Sequence, residues 1–160
     1  MIGYPRWFVP ALLAAVMLMF LTGVLLAPTT LALRLDWAMS WRLPSPARVL
    51  MAALHAAGGF ALLLLMGALW SVHMRSGWRR RQQRASGLLL GLLLLGLALT
   101  ALGVYYAGEE SLGTAAALLH LGLGAVLAAP FGWHWVHGRR AVRARRAPLQ
   151  TTAVPRTPLI

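Results

Sequence analysis

Cysteine and lysine are absent from this 160-residue chain, and its only acidic residues are Asp36, Glu109 and Glu110. Without cysteine, the protein cannot form disulfides, thiolate zinc sites or cysteine-ligated iron–sulfur clusters. None of the three carboxylates falls within a long apolar segment and the chain has no internal repeat, which counts against a small transporter with a histidine relay. A cofactor in this protein must therefore be held by histidine, methionine or arginine.

Long apolar segments make up most of the chain. Hydrophobic residues make up 59% of the chain and charged residues 11%, and the mean hydropathy is +0.69. This composition is typical of an integral membrane protein rather than of a soluble domain. We predict an all-α, four-helix transmembrane bundle over residues 1–146 and a flexible cytoplasmic tail over residues 147–160. The predicted spans are residues 7–27, 46–74, 86–107 and 112–137.

The charge of the chain comes almost entirely from arginine. Fifteen arginines give a formal net charge of +12, and twelve of them flank the spans on one side of the predicted bundle. The other side carries three arginines and the three acidic residues, so its net charge is zero. By the positive-inside rule, both termini are cytoplasmic. Because the arginines cluster beside apolar segments, anionic lipid headgroups explain them better than nucleic acid, which we do not expect as a partner.

All five histidines fall on the second and fourth predicted spans: His55, His73, His120, His134 and His137. His55 and His73 are 18 residues apart, about five helical turns, so their imidazoles share one helix face. Spans two and four run in the same direction, which puts His55 and His120 at a similar depth near the outer side. His73 and His137 each stand two residues before an arginine and lie near the inner side.

Two pairs of imidazoles at two depths predict one or two haem b groups, each held axially between spans two and four. An apolar macrocycle suits the core of a bundle, and neutral imidazoles ligate iron without adding net charge. The haem propionates need cations, and three arginines near the span ends are candidates: Arg48 on the outer side, Arg75 and Arg139 on the inner side.

The inner ligand on span four has two candidates. His137 matches His73 best in depth but is about 100° out of phase with His120, whereas His134 is only about 40° out of phase. Pro130 precedes both and can bend or rotate the end of the helix, so phase alone does not decide between them.

The histidines can also have roles that do not involve haem. His55 and His120 can hydrogen-bond to each other without metal, inside a haem-free structural or assembly protein. Zinc or copper is a further alternative, although no carboxylate or sulfur ligand lies close by in sequence. At the inner interface, His134 or His137 can instead contact lipid headgroups.

Several sequence stretches between His55 and Arg140 can be compared in order and spacing with those of known membrane proteins. A histidine early in span two is followed by HMRSGWRRR, and RASGLLL and TALGVYYAGEE open and close span three. Span four contains LLHLGLGAVLAAP and HWVHGRR. In order and spacing, these stretches resemble the small four-helix b-type cytochromes of bacterial inner membranes, relatives of the cytochrome b subunits of formate dehydrogenase and nickel–iron hydrogenase. The resemblance covers about half of the chain and implies that the inward histidines ligate haem: His55, His73, His120 and one of His134 and His137.

We therefore expect a multi-pass protein of the bacterial inner membrane that transfers electrons. It would be a subunit of an oxidoreductase system rather than a complete enzyme, because nothing outside the bilayer is large enough to hold a substrate-oxidising site. The expected partners are membrane lipids, a quinone or quinol, and a periplasmic or membrane redox protein.

The distribution of arginine predicts the orientation of the chain. A reporter that is active only in the periplasm, fused after Ile160, should be inactive, because the arginine-rich side of the bundle stays in the cytoplasm. The same reporter inserted in the loop near Asp36 should be active. Activity at the first position and not at the second would reverse the predicted orientation.

Overall fold

The computed structural model describes residues 5–70 and 84–146. Four α-helices make up most of this part of the chain: α1 (Phe8–Leu35), α2 (Ser45–Leu69), α3 (Arg84–Tyr106) and α4 (Glu110–Arg146). Each of them contains a stretch long and apolar enough to cross a membrane. The prediction of an all-α protein with four helices that are each long and apolar enough to span a membrane is therefore confirmed. His73, Arg75 and the predicted tail lie outside the described residues.

The first helix is longer than the sequence pattern predicts. The predicted span ends at Ala27, but α1 continues through Pro28 as far as Leu35. Proline removes one backbone donor from a helix and favours a bend. In an apolar environment, however, leaving the helix would expose several backbone groups with no water to bond them, so continuing is less costly. Asp36 ends the helix in the left-handed conformation, with φ of 52°.

The fourth helix also extends beyond its predicted span. It begins at Glu110, passes through Pro130 and continues to Arg146, so it includes part of the arginine-rich segment that was expected to follow the span. At 1.5 Å per residue, its 37 residues make a helix of about 55 Å, well beyond the thickness of a hydrocarbon core.

The helices pack as two antiparallel hairpins, α1 with α2 and α3 with α4, and the hairpins meet mainly along α1 and α4. The two connections, residues 36–44 and 107–109, lie at the same end of the bundle, which we call the hairpin end. There, the guanidinium group of Arg34 lies over the first turn of α4, since a Cβ added at Gly113 would be 3.6 Å from its Nη1.

Large apolar side chains cover the outside of the bundle. Phe60 is 71% exposed and Leu64 is 78% exposed, whereas only four hydrophobic side chains are buried in the described part of the chain. In water this surface would be unstable, but in a bilayer the lipid tails cover it. Helix contacts then depend on close packing of small residues rather than on a large apolar core.

Glycine brings the helices of each hairpin together. A Cβ added at Gly103 on α3 would lie 2.7 Å from the Cβ of Ala116 on α4. A Cβ added at Gly58 on α2 would lie 2.9 Å from the sulfur of Met19 on α1. The first contact is the more demanding one, because the Cβ of Ala116 cannot move without its backbone.

Replacing Gly103 by valine should therefore destabilise the α3–α4 hairpin. Overpacking of this kind costs about 1–3 kcal/mol, and thermal unfolding in detergent, followed by circular dichroism, measures it. Gly122→Val is the matched control, because a Cβ there meets nothing within 4 Å. Equal unfolding temperatures for the two variants would contradict the close contact at Gly103.

Candidate functional site

His55 on α2 and His120 on α4 come together inside the bundle. Each follows the first residue of its helix by ten positions, about 15 Å of helix rise, so they lie at the same depth from the hairpin end. Their ring centroids are 6.0 Å apart and their planes are inclined by 75°. Both side chains are partly buried. The structure thus brings together the two histidines that the sequence assigns to the outer pair.

The imidazole of His55 is held by a hydroxyl group of α1. Thr22 is 3% exposed, and its Oγ1 lies 2.8 Å from Nδ1 of His55. The same hydroxyl donates its single hydrogen to the carbonyl oxygen of Leu18, one turn back on α1, at 2.6 Å. Because that hydrogen is used within α1, Oγ1 of Thr22 accepts a hydrogen bond from Nδ1–H of His55.

His120 has a similar arrangement on the other hairpin. Oγ1 of Thr100 on α3 lies 3.0 Å from Nδ1 of His120 and donates its hydrogen to the carbonyl oxygen of Gly96 at 2.8 Å. The carbonyl oxygen of Leu97 is also 3.1 Å from Nδ1 of His120. A carbonyl oxygen can only accept, so Nδ1 of His120 carries the hydrogen.

These contacts select one tautomer for both rings. With hydrogen on Nδ1, the neutral imidazole presents a lone pair on Nε2. The contacts of the two rings with Thr22, Thr100 and the carbonyl oxygen of Leu97 are all made at Nδ1. An imidazole that donates from one nitrogen and keeps the other as a lone pair has the form of a metal ligand.

The two histidines at the other end of α4 differ from each other. Nδ1 of His134 lies 2.9 Å from the hydroxyl oxygen of Ser86 on α3. His137 instead donates from Nδ1 to the carbonyl oxygen of Trp133 in its own helix at 3.0 Å, and its ring stacks on the Trp133 indole with centroids 4.0 Å apart. His134 therefore contacts the neighbouring helix, as His55 and His120 do, whereas His137 is held by local contacts on α4.

Arg48 and Arg139, the two described arginines expected to meet propionates, have no ion pair among the residues that the structure describes. Arg48 is partly exposed on the first turn of α2. Arg139 is exposed, and its guanidinium carbon lies 5.7 Å from the ring centre of Trp135. Arg34, which the sequence did not single out, is a further cation at the hairpin end.

One buried hydroxyl has no partner within the described ranges. Thr29 is 5% exposed, and its Oγ1 makes no hydrogen bond. It follows Thr22 by seven residues, so it lies on the same face of α1 and about 10 Å nearer the hairpin end. A buried polar atom without a partner costs free energy, and here it lies between the histidine pair and the cations of the hairpin end.

The donor set of the pair fits haem better than a closed metal site. In residues 5–70 and 84–146, no group of three or more histidine or acidic side chains is close enough to share a metal ion. A structural zinc site needs four protein ligands, whereas haem iron needs only axial ligands from the protein. Two metal–imidazole bonds of about 2 Å, with the distance of about 1 Å from each nitrogen to its ring centre, span about 6 Å. The separation of the two rings agrees with this.

The hydroxyl residues are the part of the site that sequence reasoning missed. Thr22 lies 13 residues before the end of α1 and Thr100 lies 6 residues before the end of α3, whereas each histidine follows the start of its helix by ten. Depth along the span alone therefore does not identify these two threonines, and the sequence carried no signal that did.

The chain matches no protein-family model, no curated protein and no solved structure. The function of the protein therefore has to be inferred from the geometry of the histidine pair.

Proposed function

We propose that this protein is a b-type cytochrome of the bacterial inner membrane, in which His55 and His120 would hold the iron of an outer haem. The observation that carries the proposal is the pair of imidazoles with ring centroids 6.0 Å apart, with Nδ1 of each ring engaged by a threonine hydroxyl. Both rings then present a lone pair on Nε2, the nitrogen left for iron.

The tautomers count against a pair of histidines that bond only to each other. With both Nδ1 atoms protonated, Nε2 of His55 and Nε2 of His120 are both acceptors, and two acceptors cannot share a hydrogen bond. Protonating one ring would provide a donor, but it would also place a charge within an apolar span, which is costly. The iron of a haem would satisfy both lone pairs, and the porphyrin dianion would neutralise the charge of the ferrous ion.

Polar groups at the hairpin end suit the propionates of the outer haem. Arg48 and Arg34 are cations there, and the unpartnered hydroxyl of Thr29 lies between them and the histidine pair along the bundle. Arginine pairs well with carboxylates because its guanidinium group can donate two parallel hydrogen bonds. We assign the outer propionates to these side chains.

A second haem near the inner side would be held by His73 and His134. Of the two candidates on α4, His134 is supported by its contact with Ser86, which parallels the threonine contacts of the outer pair. His137 is occupied by Trp133 of its own helix. His134 follows His120 by 14 residues, about 21 Å of helix rise, so the two haems would follow one another across the membrane.

When bound, haem supplies an iron that alternates between the ferrous and ferric states and so carries one electron at a time. The histidines hold the iron, and the apolar helix faces exclude water from it. Electrons would enter from a quinol in the bilayer or from a redox protein at the hairpin end. With both termini in the cytoplasm, the hairpin end faces the periplasm, so the two sites provide a path across the membrane.

Substitution of the outer ligands tests the proposal. The purified wild-type protein, made with ample haem, should give a reducible b-type spectrum. His55→Ala and His120→Ala should each lose the outer haem, and a two-haem protein should fall to about half of its haem content. The double variant should lose no more than either single variant, because both residues serve one group. Haem content and the reduced-minus-oxidised spectrum measure this.

A wild-type protein without a b-type spectrum would refute the cytochrome proposal and favour the haem-free structural protein instead. Gly122→Ala, on the open face of α4, is a control variant that should keep all of its haem. An additive loss in the double variant would mean that His55 and His120 do not share one haem.

The inner ligand is tested in the same way. His134→Ala should lose the inner haem, whereas His137→Ala should keep it, since His137 is bound to its own helix. The spectrum of each variant, compared at equal protein concentration, distinguishes the two. Loss of haem in His137→Ala with a normal spectrum in His134→Ala would reverse the assignment.

A further inference from the structure

We infer that Thr22 and Thr100 are positioning residues that hold the haem ligands in the tautomer and ring orientation that iron requires. This inference rests on the proposed function, since it assigns a role to the residues behind the ligands. Neither threonine touches the iron. Each acts through the histidine whose Nδ1–H it accepts.

The direction of the hydrogen bonds fixes the tautomer. A free threonine hydroxyl can either donate to Nδ1 or accept from it. Thr22 and Thr100 each donate to a carbonyl oxygen of their own helix, at 2.6 Å and 2.8 Å. They are thereby fixed as acceptors toward the rings. The opposite tautomer, with hydrogen on Nε2, would leave no lone pair on Nε2, and its remaining lone pair on Nδ1 would point at the threonine.

The same contacts fix the orientation of the rings. A histidine side chain can rotate about its χ2 angle, which would move Nε2 away from the partner ring. The contact between Nδ1 and the hydroxyl opposes this rotation. On α1, Gly23 brings the backbone close to the ring of His55, since a Cβ at this position would lie 3.4 Å from Cε1. A side chain and a close backbone approach thus fix the same imidazole.

The contacts are arranged alike in the two hairpins. Thr22 and His55 belong to the α1–α2 hairpin, and Thr100 and His120 belong to the α3–α4 hairpin. In each hairpin, the first helix supplies the hydroxyl and the second supplies the imidazole. Each hairpin is therefore a half-site that contains both a histidine and the hydroxyl group that orients it. Ser86 and His134 repeat the arrangement at the other end of α4.

The hydroxyl contact also affects the iron. Donation from Nδ1–H to an oxygen makes the imidazole more basic at Nε2, and partners of this kind typically contribute about 10- to 100-fold to metal affinity. A more basic axial ligand stabilises ferric iron more than ferrous iron. Removing the hydroxyl should therefore raise the midpoint potential of the outer haem and weaken its binding.

The test compares valine and serine at both positions in the full-length protein. Thr22→Val and Thr100→Val should each raise the midpoint potential of the outer haem, change its ferric EPR signal and weaken haem binding by about 10- to 100-fold. Thr22→Ser and Thr100→Ser keep the hydroxyl and should restore the wild-type values. If a valine variant does not accumulate, alanine at the same position removes the hydroxyl without adding a methyl group beside the ring.

Thr30→Val is the matched control on α1. The hydroxyl of Thr30 also donates to a carbonyl oxygen of its own helix, that of Leu26 at 3.2 Å, but it contacts no histidine within the described residues. This variant should keep the wild-type midpoint potential and EPR signal. A shift in either for Thr30→Val would mean that the shifts in the Thr22 and Thr100 variants come from altered helix packing, and it would overturn the inference.

The outcomes separate the inference from the proposed function. A normal b-type spectrum in wild type, with unchanged potential and EPR signal in the variants that lack the hydroxyl, would overturn the positioning role alone. Equal shifts in the valine and serine variants would also overturn it, because serine keeps the acceptor. A wild-type protein without haem would overturn the proposed function, and the inference with it.

Discussion

A polar side chain in the interior of a membrane protein must find its partners within the protein, and this constraint governs the structure around the histidines. The imidazoles of His55 and His120 cannot be satisfied by water or by lipid. Each is met by a threonine of the adjacent helix, which in turn bonds to its own backbone. Hydrogen bonding is thereby complete on one side of each ring, and the lone pairs of Nε2 are what the described part of the protein leaves unsatisfied.

The described part of the bundle has only a small buried core, so core packing does not by itself fix the positions of the histidines. Few side chains are buried in the described residues, and many leucines are exposed at the surface, where lipid would cover them. Close approach at glycine, such as that of Gly103 to Ala116, holds the helices of a hairpin together. α2 and α4 lie diagonally in the bundle and are linked by the histidine rings rather than by extensive backbone proximity. A group bound between these rings would join the two hairpins, so we expect its binding and the stability of the bundle to be coupled.

Under the proposed function, a site made of one half from each hairpin would have a simple assembly route. Each hairpin forms from neighbouring segments of the chain, and its ligand is oriented by a residue of the same hairpin. The two imidazoles then need only the meeting of α1 and α4 to reach their mutual distance of 6.0 Å. Under the proposed function, little ordering would remain when haem enters, and pre-organised ligands bind more tightly for that reason.

The sequence by itself determined the number of membrane-spanning helices, because four long apolar segments have no other stable arrangement in a bilayer. It also predicted that His55 and His120 lie at the same depth, since depth depends only on the rise per residue along parallel spans. The predicted first span ends at Ala27, whereas α1 continues to Leu35. Pro28 disfavours the helix locally, but ending the helix there would leave backbone groups without hydrogen-bond partners, and that cost depends on the apolar surroundings. The threonine partners, the tautomers and the difference between His134 and His137 were decided only by the tertiary structure. These features depend on how neighbouring helices are rotated against one another, and helix periodicity describes each helix alone.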